Sequence, residues 1–93
     1  MNKEFNKFYL IEMNELMLGL AKRGIDFNFS QIFDGFKIAV PSQGWDAICH
    51  GNSYGCRSAL LEVMGSAVVR VDYDDVEGYL TAQEILNRID EKS

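Results

Sequence analysis

The chain has 93 residues, 47% hydrophobic and 25% charged, with a formal net charge of −5 at pH 7. That length makes one domain, the composition is globular rather than disordered, and the acidic balance argues against phosphate-backbone contact, which needs a basic face. Two cysteines are too few for the disulfide framework of a small secreted domain, no apolar run is long enough to span a bilayer, and the first residues lack the apolar core of a signal peptide. A reduced, cytoplasmic setting is the expectation, with no membrane and no direct nucleic-acid partner.

Asn2 is an N-cap candidate for a first helix running to about Arg23. Phe5, Tyr9, Leu10, Met13, Leu16, Met17 and Leu20 fall within one arc of about 140° on a helix. Lys22 and Arg23 suit the last turn, and Gly24 suits the residue that closes it. Next, Ile25, Phe27, Phe29 and Phe33 alternate with polar residues, a strand pattern, and Asp34-Gly35 is a favoured two-residue hairpin turn. That turn sets Phe33 opposite Phe36, Gln31 opposite Ile38 and Phe29 opposite Val40. Pro41-Ser42-Gln43-Gly44 breaks the chain, and Trp45 to His50 reads as a third strand.

Gly51 to Gly55 then makes a turn into a second helix, about Cys56 to Met64, ended by Gly65. The β-branched run within Ala67 to Tyr73 offers a fourth strand, and Asp72 to Glu77 reads as an exposed acidic loop. Thr81-Ala82-Gln83-Glu84 is a capping box opening a last helix to about Asp90, with Ile85, Leu86 and Ile89 apolar. The order α-β-β-β-α-(β)-α predicts an α+β fold: a small antiparallel sheet of three strands, or four with 67–73, an N-terminal helix and two further helices on one face.

Three motifs invite chemistry. Gly51-x-Ser53-x-Gly55 matches a nucleophile elbow between a predicted strand and a predicted helix. The elbow needs a base that follows the serine, whereas the only histidine, His50, precedes it. Cys49, His50 and Cys56 include metal-ligand types, but their spacing matches no common zinc pattern, and adjacent Cys49 and His50 point to opposite faces of a strand. The run Asp72, Asp74, Asp75, Glu77 fails as a calcium loop, because the glycine position is Glu77 and the closing glutamate position is Gln83. The residues therefore predict no catalytic centre, cofactor or metal, and the acidic run is instead a candidate contact for a basic protein surface.

At CHGNSYGCRSALLEVMG and DDVEGYLTAQEIL the chain resembles small uncharacterised proteins encoded by phages and prophages of Gram-positive bacteria, over roughly residues 45–89. The resemblance implies a bacterial host cytoplasm and carries no catalytic residues across. The function expected is that of a non-enzymatic protein-binding protein, in its sharper form an inhibitor of a host defence system such as an anti-CRISPR protein. The alternative is a self-assembling accessory protein, and the least favoured is a small hydrolase or metal-dependent enzyme using Ser53, His50 or Cys56. Ile11 and Leu18, about 20° apart on a helix and opposite the main apolar stripe, are candidates for a partner contact or a homodimer through helix 1. Asp72, Asp74, Asp75 and Glu77 are expected to tolerate conversion to amides without loss of fold.

Overall fold

The computed structural model describes residues 7–71 and 75–91. The first α-helix, α1 (Leu10–Lys22), begins later than the sequence predicts, after a short 3-10 turn, Lys7–Tyr9; the predicted Asn2 cap and Phe5 lie outside the described residues. Five strands follow, β1 (Asn28–Ile32), β2 (Gly35–Val40), β3 (Trp45–Cys49), β4 (Leu61–Met64) and β5 (Val76–Leu80), and α2 (Ala82–Glu91) comes last. The strands form one antiparallel meander in chain order. Alternation sends Phe36, Ile38 and Val40 of β2, Trp45, Ala47 and Cys49 of β3, and Leu61 and Val63 of β4 to one face, where all are buried. Met13, Leu16 and Leu20 of α1 and Ile85, Leu86 and Ile89 of α2 complete that core. The α+β class stands, with five strands and two α-helices among the described residues. No helix among the described residues is long and apolar enough to cross a membrane.

The end of α1 and the start of α2 fall where their residues dictate. The Leu20 carbonyl accepts the Ile25 N–H and the Ala21 carbonyl accepts the Gly24 N–H, a Schellman closure with Gly24 at φ +67°. At the start of α2, Thr81 Oγ1 accepts the Glu84 N–H at 3.1 Å and Glu84 Oε1 accepts the Thr81 N–H at 3.0 Å, the reciprocal capping box. The helices cross at Gly19, where a Cβ would lie 2.9 Å from Leu86 Cδ2. Beside the crossing, Glu12 Oε1 accepts the Ala82 N–H at 2.8 Å, which satisfies an orphan donor of the first turn of α2.

Four expectations need correction. The β1–β2 hairpin pairs Phe29 with Ile38 and Ile32 with Gly35, so the turn is Phe33-Asp34, two residues out of the predicted register. A shift of two preserves the faces, which is why the hydrophobic pattern could not detect it. Gly35 is needed inside β2, because a Cβ there would lie 2.7 Å from the Cα of His50 and closer still to the Cys49 carbonyl oxygen. Asp34 is held by its side chain, whose Oδ1 accepts the Gly51 N–H at 2.8 Å.

Residues 56–64 are one 3-10 turn, Cys56–Ser58, followed by β4. The Leu60 N–H reaches the Gly55 carbonyl and the Ala59 N–H reaches the Cys56 carbonyl, so the turn closes at Ala59, itself left-handed at φ +59°. After it Leu61 and Val63 turn inward and Glu62 and Met64 outward, a period of two.

The run predicted as a fourth strand is a turn over its described part: the Val68 and Val69 N–H groups return to the Gly65 carbonyl, and Val68 plugs the core. The predicted acidic loop in turn yields β5 from Val76 onward; residues 72–74 lie outside the described residues.

Candidate functional site

A meander brings its alternate connections to one end of the sheet. The β1–β2 turn, the β3–β4 connection (residues 50–60) and the C-terminal end of β5 meet there. Asp34 ties the first to the second through Gly51, and the Tyr79 N–H donates to the Tyr54 carbonyl at 3.3 Å, tying the second to the third. Each of the three segments holds out one aromatic ring: Phe33 is 66% exposed, Tyr54 59% and Tyr79 68%. Phe33 and Tyr79 are also in the left-handed region, at φ +55° and +62°. Bulky residues rarely sit there, and each instance costs roughly 1–3 kcal/mol of backbone strain. The two most exposed of the large apolar side chains described are thus the two held by unfavourable backbone. Between Tyr54 and Tyr79 lies a shallow cleft of about 160 Å³, which Cys56, Arg57 and Ser58 also line.

The candidate nucleophile is a structural part of this end. Ser53 is buried; its Oγ accepts the His50 N–H at 3.0 Å and donates to the His50 carbonyl at 2.9 Å. The His50 imidazole faces elsewhere: Nδ1 accepts the Asn52 N–H at 3.1 Å, and the ring meets Phe33 edge-on at 5.1 Å. Ser53 Oγ is therefore hydrogen-bonded to the peptide of His50 rather than to its imidazole, which is not the pairing an activated nucleophile needs. Cys49 faces the core, where burial first, then the nearby Cys56 and Asp34, push its thiol up to about 12. Cys56 Sγ donates to the Gly51 carbonyl at 3.5 Å. Among the described residues, no group of three or more His, Cys, Asp or Glu side chains is arranged to hold a metal ion.

The acidic run separates into unlike parts. Asp72 and Asp74 lie outside the described residues, and Asp75 is exposed. Glu77 faces the helix layer from β5 and is engaged internally. Its two carboxylate oxygens take Arg88 Nη1 at 2.8 Å and Nη2 at 2.9 Å, with both side chains under one-fifth exposed, and Oε1 also accepts the Arg70 N–H at 2.8 Å. Arg88 additionally donates to the Val68 carbonyl at 2.8 Å. The hydrogen bonds from Arg88 hold the Glu77 carboxyl below its ordinary value, against the opposing effect of burial. Glu77 thus contacts a basic group of its own chain, and its conversion to an amide is expected to perturb the fold. Ile11 and Leu18 are 52% and 58% exposed on the side of α1 away from the sheet.

The aromatic end is not assigned by sequence reasoning, which makes Phe33 a strand residue and Tyr54 a turn residue and leaves Tyr79 without a role. The available signal is chemical: a tyrosine inside Gly-Asn-Ser-Tyr-Gly and another after Gly78 are aromatic side chains where turns ordinarily use small polar ones. Comparison with protein-family models, with curated proteins and with solved structures returns no match to this chain.

Proposed function

We propose that the chain is a non-enzymatic protein-binding protein whose contact surface is the aromatic end of the sheet. The observation that carries the reading is the coincidence of exposure and strain at Phe33 and Tyr79. Strain persists where the surrounding structure enforces it, and it clusters at working surfaces. With Tyr54 and Arg57 the end has the residue types that dominate binding energy at protein interfaces. The sharper form, inhibition of a host defence system in a bacterial cytoplasm, rests on the phage resemblance and the net charge of −5. A second reading, self-association through α1, draws support from the exposure of Ile11 and Leu18.

The test is affinity capture from a bacterial lysate with the wild type, the Phe33→Ser/Tyr54→Ser/Tyr79→Ser variant and the Ile11→Ser/Leu18→Ser variant, all shown to be folded by circular dichroism. Retention of one discrete protein by the wild type and the α1 variant, and its loss in the aromatic variant, is the expected result. Equal retention by the wild type and the aromatic variant contradicts the assignment.

A further inference from the structure

We infer that β1 is a self-pairing edge, through which two copies of the chain join their sheets antiparallel about a two-fold axis at Phe29. Among the described residues no strand pairs beyond β1, and its first four residues are exposed. Soluble proteins guard such edges with charges, proline or bulges. Phe27 to Phe33 contains no charged residue and no proline, and the pairing with β2 runs in unbroken register. The opposite edge is different: the β4–β5 pairing carries a register shift, Glu77 draws the Arg70 N–H beside it, and Tyr79 turns left-handed. Among the described residues, β1 is the edge left ready for a strand. In a chain of net charge −5, this seven-residue stretch brings no charge of its own to the join, Asp26 and Asp34 lying just outside it.

The backbone selects the register of a self-paired join. Antiparallel neighbours alternate between residues that exchange N–H···O bonds with their partner and residues that do not. The two-residue turn makes Ile32 and Gly35 a bonded pair, so Ser30 and Asn28 also bond to β2. Phe29 and Gln31, and Phe27 just before the strand, direct their N–H and C=O groups to the open side. A two-fold axis at Phe29 sets Phe29 opposite Phe29 of the second copy, and Phe27 opposite Gln31 in both directions. All three are bonding pairs, each exchanging two hydrogen bonds, whereas an axis at Asn28 or Ser30 leaves only two such pairs. Phe29 already stacks on Phe36 with ring centroids 5.4 Å apart, so the same axis extends that stack across the join.

Sedimentation as a function of concentration, with amide hydrogen exchange, tests the pairing. The wild type is expected to reach about 21 kDa, twice the 10.5 kDa chain. Gln31→Pro, which removes only an outward N–H and is tolerated on an open edge, is expected to stay monomeric, and Ile11→Ser/Leu18→Ser to dimerise like the wild type. In the wild type alone, exchange of the Phe29 and Gln31 amides should slow roughly tenfold or more as the dimer fills, while Ser30 and Ile32 are slow throughout. That readout holds even if the proline variant misfolds. A wild type monomeric up to millimolar concentration, or a dimer lost in the α1 variant but retained in Gln31→Pro, overturns the inference.

Discussion

Replacing Glu77 by Gln keeps the shape of the side chain and removes its charge. In the wild type that carboxylate accepts two bonds from Arg88 and one from the Arg70 N–H, at 2.8–2.9 Å. Charge-assisted bonds contribute about 1.5–3 kcal/mol each, and a glutamine oxygen retains only part of them. The variant also leaves Arg88, whose side chain is 16% exposed, without a counter-charge. Removing one partner of a fully buried pair costs about 3–5 kcal/mol. Partial exposure here lowers the expectation to about 2–3 kcal/mol, a large share of the roughly 5–14 kcal/mol that a domain of this size has in total.

With a urea slope of about 1 kcal/mol/M, the unfolding midpoint should fall by about 2–3 M. The acid limb gives a second reading. A glutamate whose folded value is depressed contributes stability above its unfolded value of about 4.3, and that contribution is lost as pH falls through the depressed folded value. Glu77→Gln should therefore lose least relative to the wild type below pH 4 and most near neutrality. A midpoint within 0.5 M of the wild type at pH 7, with an unchanged acid limb, would refute the assignment of Glu77 to the fold.

Three further outcomes follow from named residues. Tyr79→Gly relieves a left-handed backbone at a cost in unfolded-state entropy, so stability should be unchanged or rise by up to about 1 kcal/mol while partner capture falls; a loss above 1 kcal/mol in thermal melts would show that the ring supports the fold. Cys49, buried with its thiol pushed up to about 12, should resist iodoacetamide in the native protein at pH 8 while the partly exposed Cys56 reacts, giving one modified site by mass spectrometry and two after denaturation; native modification of Cys49 would contradict its placement. Ile11→Ser with Leu18→Ser should shift the melting temperature by only a few degrees, since both side chains are more than half exposed; a collapse would place them in the core.

What the sequence makes legible is what local chemistry determines. Gly24 and the Thr81–Glu84 box mark helix ends through backbone hydrogen bonds, and both are found as read. Met13, Leu16 and Leu20 face inward because a period of 3.6 leaves them no other common face. The errors arise where a local signal has two solutions. Leu61-Glu62-Val63-Met64 fits a helix or a strand, and only the closure at Ala59 and the neighbouring β3 and β5 decide. Asp34-Gly35 is a good turn in isolation, but the close approach of Cys49 and His50 claims Gly35 for the strand. Glu77 reads as one acid among four until the fold places Arg88 against it. The aromatic end was least legible, because it is assembled from residues 33, 54 and 79 by sheet order rather than by spacing.

Phe33, Tyr54 and Tyr79 are proposed to contact a partner together. A photo-activatable phenylalanine analogue placed singly at Phe33, Tyr54, Tyr79, Ile11 and Ile48, the last on the outer face of β3, tests it in bacterial lysate. One adduct of common mass is expected from positions 33, 54 and 79, and none of that mass from position 48. A discrete adduct from position 11 or 48, with none from the three aromatic positions, contradicts it.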